Sequence, residues 1–320
     1  MQKPRLRKPR FIRSDGFPPL HLTERDVSIL RLVERHRFVS SRHVTQMIGG
    51  SAQHVTRRLG RLFHVGFLHR PRGQLWLPRG GNAHLVCCIT FSGQAILRER
   101  GLPTYASPPR SRGETMALSL SHFLCVTDVM LALERSAVAE GSCFLHHDEW
   151  RTEDEARLFQ MRWGANLTYD GKRVRTAVLP DGAFAIEKSG KRSYFFVEVD
   201  RGTMPVSRGG SEQTSFRRKV LAYKATRDTG ILWKRHEVSG FRVLVITEHS
   251  RRLRSLQATT ADCFQRGESS MFCFAQTQAM LQAPLSSWQT CSGKDAVLVD
   301  SSPTIQPYRL QIQEQQRSDS

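Results

Sequence analysis

Three carboxylates stand where two extended stretches of chain turn back on one another. PDGAFAIE (180–187) and SYFFVEVD (193–200) flank the turn-forming run Lys-Ser-Gly-Lys-Arg, which predicts an antiparallel hairpin. In the second run Phe195, Val197 and Val199 point to one face, and Tyr194, Phe196, Glu198 and Asp200 to the other. A turn centred on Ser189, Gly190 and Lys191 sets Asp181 opposite residues 199–200, so Asp181, Glu198 and Asp200 converge at one end of the hairpin. Clustered like charges persist where a cation offsets them. An all-oxygen set suits Mg²⁺ or Mn²⁺, which keep waters and activate one against a phosphodiester. The same residues also allow a plainer arrangement. Asp181 then starts a turn, while Glu198 and Asp200 pair with Arg201 or with the basic helix that follows. Spacing alone leaves both open.

A second concentration of chemistry is basic. Within residues 51–65, Val55, Leu59, Leu62 and Phe63 recur at helical spacing and make one apolar face. His54, Arg57, Arg58 and Arg61 make a second face that carries no acid, unlike an ordinary solvated face. One side anchored in a core and the other offering Arg to a groove is the layout of a recognition helix. Gln53, near the N-terminal end, carries a carboxamide able to pair bidentately with adenine.

The elements around that helix fit the role. Thr23 with Asp26 marks a helix start, and Val27, Leu30 and Val33 give an apolar face through about His36. Ser40 or Ser41 opens a second helix with Val44, Met47 and Ile48, Gly49-Gly50 ends it, and Ser51 caps the third. Three short helices with a glycine turn before the last predict a helix-turn-helix. Gly66-Phe67-Leu68, a Pro/Gly-broken stretch to about Asn82 and the apolar run 84–90 then predict a two-stranded wing. Its tip would carry Arg70, Arg72 and Arg79, and a helix from Ser92 to about Arg100 would close the domain.

Charge points the same way. Residues 1–100 hold 19 of the 48 Lys and Arg but only 5 of the 29 Asp and Glu, which places +14 of the net +19 there. A near-neutral body joined to a basic domain suits phosphate neutralisation. MQKPRLRKPRFIRSDG is charged and broken by Pro, and reads as a disordered basic arm over 1–19 rather than a signal peptide or membrane anchor.

GLPTYASPPRSRG (101–113), with three Pro and two Gly, predicts a linker, and the second domain is expected over 114–300. It should begin with a long helix (114–140) bearing Leu120, Phe123, Leu124 and Leu131. Strands of uncertain limits (143–180), the hairpin, a basic helix at 215–225, a buried-type strand FRVLVITE, the basic helix HSRRLRSLQAT and a last strand MFCFAQ follow. That order is α/β. The Ser/Gln-rich tail, 301–320, is expected to be disordered. Seven Cys without a C-x-x-C pair argue against a zinc cluster or disulfide framework and for free thiols in the cytoplasm. No G-x-x-x-x-G-K-[ST] occurs, and the adjacent His146-His147 do not match the spaced pair of a nicking relaxase.

LTERDVSILRLVERHRFVSSRHV, GSAQHVTRRLGRLFHVGFLHRP, PDGAF, FFVEVDRGT and SFRRKVLAYKA together resemble the replication-relaxation proteins, encoded on plasmids and other mobile elements and associated with replication and mobilisation. The resemblance covers roughly residues 20–260. It implies a two-domain α/β protein: an N-terminal winged helix-turn-helix, then an α/β domain similar to the PD-(D/E)xK, restriction-endonuclease-like fold. Asp181, after Pro180, stands at that pattern's first acid and Glu198 at its second, but Asp200 stands where the pattern places Lys. Either the basic group has moved to the next helix, with Lys219 the candidate, or catalysis is lost and DNA binding remains.

The expected partner is double-stranded DNA, with replication or relaxase proteins and a second copy of the chain as further partners, and no membrane. The alternatives are a metal-dependent endonuclease holding Mg²⁺ or Mn²⁺ on Asp181, Glu198 and Asp200, and a non-enzymatic adaptor.

Overall fold

In the computed structural model, which describes residues 10–14, 16–77, 84–104, 115–149, 162–202, 204–206, 215–238 and 240–299, the architecture is mixed α/β. The chain forms two compact units, and among the described residues the division falls between Leu131 and Ala132.

The first unit starts with α1 (Glu24–His36), capped by the reciprocal pair Thr23 and Asp26. β1 (Val39–Ser40) leads into α2 (Ser41–Ile48), whose cap Ser40 accepts from the His43 backbone. α3 (Ala52–His64) is capped in the same way by Ser51. The link from α2 to α3 needs two successive left-handed residues, Gly49 (φ 79°) and Gly50 (φ 86°), and a Cβ on Gly50 would strike the Arg25 guanidinium. β2 (Leu68–His69), a 3-10 helix (Arg72–Trp76), β3 (Val86–Ile89) and α4 (Phe91–Glu99) follow. β3 is the centre of a three-stranded antiparallel sheet, with Val39 opposite Cys87 and Leu68 opposite Ile89.

Ile29, Leu30, Val33, Val44, Val55, Leu59, Leu62, Leu68, Cys87 and Leu97 form the core. Burial pushes the Cys87 thiol up to about 12, so it is an inert core residue, and Cys88 moves the same way.

The helix expected to open the second domain, α5 (Thr115–Ala139), crosses the division between the units. Its first part, through Leu131, groups with the first unit. The reason is in the packing: Leu120 joins Phe38, Val86 and Cys88, Thr127 Oγ1 donates to Phe38 O (3.0 Å), and Asp128 meets both Arg42 and His43 (2.9 Å each).

The second unit contains β4 (Cys143–His146), β5 (Trp163–Tyr169), β6 (Lys172–Val178), β7 (Gly182–Lys188), β8 (Lys191–Asp200), α6 (Phe216–Asp228) and α7 (Ile231–His236). It continues with β9 (Phe241–Thr247), α8 (Ser250–Ala261), β10 (Phe272–Gln276), α9 (Thr277–Gln282), β11 (Trp288–Gln289) and β12 (Asp295–Ala296). Its seven-stranded sheet runs β12-β11-β10-β9-β8-β7-β4; β8, β9 and β10 are parallel and the outer pairings antiparallel. The parallel strands are apolar almost throughout, as strands covered on both faces must be. β5 and β6 make a separate two-stranded sheet.

The hairpin of β7 and β8 is one residue away from the expected register. Lys188 pairs with Lys191 around a two-residue turn, Ser189-Gly190, both left-handed (φ 51° and 73°). Two successive residues at positive φ give a two-residue turn whose twist matches that of the flanking strands. Gly182 therefore faces Val197, and Asp181 comes level with Glu198 instead of residues 199–200. Residues 1–9, Arg79, most of the expected linker (105–113), Trp150 and the tail 301–320 lie outside the described residues.

Candidate nucleic-acid face and acidic centre

α3 divides as its spacing predicts. Val55, Leu59, Leu62 and Phe63 are buried, while Gln53, His54, Arg57 and Arg61 are exposed. None of those four exposed side chains makes an ion pair among the described residues, and α3 contains no acid. Gln53, Arg57 and Arg61, spaced by four residues, share one line along the helix.

Two expected contact residues are placed elsewhere. Arg58 points at α1, where its Nε and Nη2 grip both oxygens of Asp26, and Nη2 also reaches His21 O. Asp26 is fully buried. Burial alone would raise its pKa, but the Arg58 pair and the Thr23 hydrogen bonds outweigh that and hold it below the usual carboxylate range. Arg58 is thus the partner of a buried acid. Arg70, expected at a wing tip, is also buried, its guanidinium 4.2 Å from the Phe63 ring centroid with Nη1 donating to Arg10 O (2.8 Å). The chain after β2 turns inward because Gln74 bridges to Val86, accepting from its N–H (3.0 Å) and donating to its carbonyl (3.1 Å). Arg72 remains exposed.

The expected disordered arm is, from residue 10 on, docked at the C-terminal end of α3. Arg13 donates to Phe63 O (3.0 Å) and Leu68 O (3.2 Å), Ser14 N–H donates to His64 Nδ1 (3.1 Å), and Phe17 stacks on the His64 ring (5.0 Å). A guanidinium there adds a second bond to Phe63 O, which also accepts from the Gly66 N–H (3.1 Å), and complements the helix dipole.

In the second unit, Asp181 and Glu198 come together with Lys219, the first two from the hairpin and the third from α6. Asp181 N–H donates to Val197 O (2.9 Å), and its Oδ2 accepts from the Val199 N–H (2.8 Å), which fixes the carboxylate at the strand end. Glu198 is buried; its Oε2 accepts from Lys219 Nζ (2.5 Å) and its Oε1 from the Tyr223 hydroxyl (2.8 Å). Burial and the Asp181 charge raise the Glu198 pKa, and Lys219 and Tyr223 only partly oppose them. For Lys219, burial acts downward, yet Glu198, Asp181 and Asp200 together push its pKa up, so the ammonium is kept charged. Lys219 and Tyr223 lie one helical turn apart, so one face of α6 delivers both groups to the acid.

Asp200 does not complete a triad. Arg252 of α8 takes both its oxygens (2.7 and 2.9 Å), and the Gly202 N–H adds a third bond (3.2 Å). Asp181, Glu198 and Asp200 accordingly do not bring one oxygen each within 4.8 Å of one another. Asp200 is held by a bidentate ion pair that sequence spacing could not reveal, its partner lying 52 positions away. Tyr223 was within reach of sequence reasoning through its helical spacing from Lys219.

The donor set that could hold a hard divalent cation is two carboxylates, Asp181 and Glu198, and Glu198 already gives its two oxygens to Lys219 and Tyr223. This set does not accommodate the expected third ligand. Lys219 places a fixed positive charge beside the two carboxylates.

A family model described as replication-relaxation matches residues 30–240. No curated protein matches the chain. A solved structure, that of restriction endonuclease FokI, is similar over 81% of this chain at 12% identity and a TM-score of 0.28, and this chain spans only 42% of that one. Among the described residues no helix is long and apolar enough to cross a membrane.

Proposed function

Since the chain belongs to the replication-relaxation family, we propose that it is a double-stranded DNA-binding protein of a plasmid or other mobile element, acting in replication, its control or mobilisation. On this reading residues 20–100 are a winged helix-turn-helix. α2, the Gly49-Gly50 turn and α3 make the reading motif, and β2, β3 and the chain between them make the wing. The observation that carries it is the exposed row of α3: Gln53, His54, Arg57 and Arg61, with no acid and no ion-pair partner among the described residues. Arg57 and Arg61 would meet guanines or phosphates, Gln53 an adenine edge, and Arg72 the flanking backbone. The free thiols support a cytoplasmic setting. A homodimer on a palindromic site extends the reading, and the sedimenting mass of the DNA complex checks it.

The test is retardation of fragments from the element that encodes the protein. Arg57→Ala with Arg61→Ala should weaken specific binding about tenfold or more, since each bidentate base pairing is worth about 1–3 kcal/mol. Both side chains are exposed, so the fold should be untouched. Unchanged affinity in a folded double variant would sink the assignment.

The Glu198–Lys219 pair favours a second reading, a metal-dependent DNA nuclease. Asp181 and Glu198 would hold Mg²⁺ or Mn²⁺, which supplies an activated water and charge neutralisation. Lys219 would then steady the phosphate oxygens. Asp200 keeps its bidentate bond to Arg252, and its charge helps keep Lys219 charged. Plasmid incubated with Mg²⁺, Mn²⁺ or EDTA decides this. Cutting that requires metal and disappears in Asp181→Ala and Glu198→Ala establishes it, and retardation without cutting leaves a binding protein.

A further inference from the structure

The hairpin of β5 and β6 has one face built for packing and one that packs against nothing among the described residues. Trp163, Ala165, Leu167 and Tyr169 of β5 are buried, as are Thr176 and Val178 of β6. Trp163 Nε1 donates to Thr226 Oγ1 (2.7 Å) and its ring meets Phe196 at 5.2 Å, while Arg218 Nε of α6 donates to Thr176 Oγ1 (2.8 Å). The inner face is therefore clamped to α6 and β8. The opposite face is paired across the strands as Gly164 with Ala177, Asn166 with Arg175 and Thr168 with Arg173. Asn166, Thr168, Arg173, Arg175 and Ala177 are all exposed, and Lys172 is exposed at the turn end.

Charge on this outer face is of one sign. The side chains of Lys172, Arg173 and Arg175 make no ion pair or hydrogen bond among the described residues. The nearby acid, Asp170 in the turn, is within 3.4 Å of Arg217. Gly164 leaves room for the Arg175 guanidinium to lie across the ribbon: a Cβ at that position would come within 2.7 Å of Arg175 Nε. A guanidinium bedded on a neighbouring strand gives up less freedom when it binds than one on a free stem.

We propose that the β5–β6 hairpin is a second duplex-DNA contact surface, a basic two-stranded ribbon that takes the phosphate backbone through Lys172, Arg173 and Arg175. A ribbon of two strands has the width of the major groove. Asn166 and Thr168 interleave with the arginines as neutral hydrogen-bonding groups, and phosphate contacts use such side chains together with Arg and Lys. The rigid attachment to α6 fixes the orientation of the face. This proposal rests on the DNA-binding reading above but on different residues, in the other compact unit.

The experiment measures affinity of the full chain for a labelled duplex by fluorescence anisotropy at one moderate salt concentration. Three proteins are compared with the wild type: Arg173→Ala/Arg175→Ala, Arg173→Lys/Arg175→Lys, and Arg57→Ala/Arg61→Ala. The ribbon alanine variant should bind on the order of fivefold more weakly, and the lysine variant should stay within about twofold, because phosphate contacts follow charge. Both should melt with the wild type, since the substituted side chains are exposed. If the ribbon alanine variant binds like the wild type while the α3 variant is weakened, the ribbon is not a DNA surface and the first reading stands. If neither variant is weakened, the DNA reading fails and the ribbon proposal with it. If the ribbon variant changes sedimenting mass and not affinity, the face joins two copies of the chain, and the proposal is overturned.

Discussion

At the residue scale, an arginine's environment decides its role, and α3 shows both outcomes within a few residues. Arg57 and Arg61 are exposed, whereas Arg58, on the same basic stripe, closes on buried Asp26. Arg58→Ala should therefore act on stability, leaving a buried acid without its cation at a cost of about 3–5 kcal/mol. Urea unfolding reads this directly. A stable Arg58→Ala protein with weakened DNA binding would show that Arg58 belongs to the contact face after all.

The Asp26 carboxyl is held below its ordinary range, so the stability it contributes is fully present above about pH 3.9, the unfolded value. It is lost as pH falls through the lowered folded value. Asp26→Asn should remove that acid limb from the unfolding profile. Glu198 has the opposite sign. Its raised pKa means that any contribution is complete below about pH 4.3 and is lost as pH rises through the folded value.

At the element scale, helices with caps were readable almost to the residue, because Thr23, Ser40 and Ser51 each act within one turn of chain. The hairpin was readable as a hairpin, and the alternation along β8 was readable too. Its register was not, since one residue in the turn decides which acid faces which strand. Gly190 holds the second left-handed position of that turn. Gly190→Ala should cost about 1–2 kcal/mol and loosen the alignment of Asp181 with Glu198. Thermal melting of the variant checks the first part, and a wild-type melting point would contradict the assigned turn. Interactions between residues far apart in the sequence were the ones hidden from spacing: Arg252 on Asp200, Gln74 on Val86, and Arg13 on the end of α3. Each is set by packing between elements, which no local pattern encodes.

At the scale of the whole molecule, +14 of the +19 net charge resides in the first hundred residues, and within them the acids at 26 and 34 are buried and bonded to Arg58 and Gln94. Among the described residues of that segment, the charges left exposed are mostly arginines. If this surface binds a duplex as proposed, counterions are released and affinity should fall steeply with salt. The division of the chain within α5, past the Pro-rich stretch, was not foreseeable from composition. The tertiary partners of Thr127 and Asp128, Phe38 and His43, lie more than eighty positions away.

A salt titration of duplex affinity for the wild type and Arg57→Ala/Arg61→Ala asks whether the exposed row of α3 binds DNA. A linear fall of log affinity with log salt is expected, with the double variant shallower by about 0.9 for each phosphate it no longer neutralises. Affinity indifferent to salt, or identical lines for the two proteins, would contradict the account.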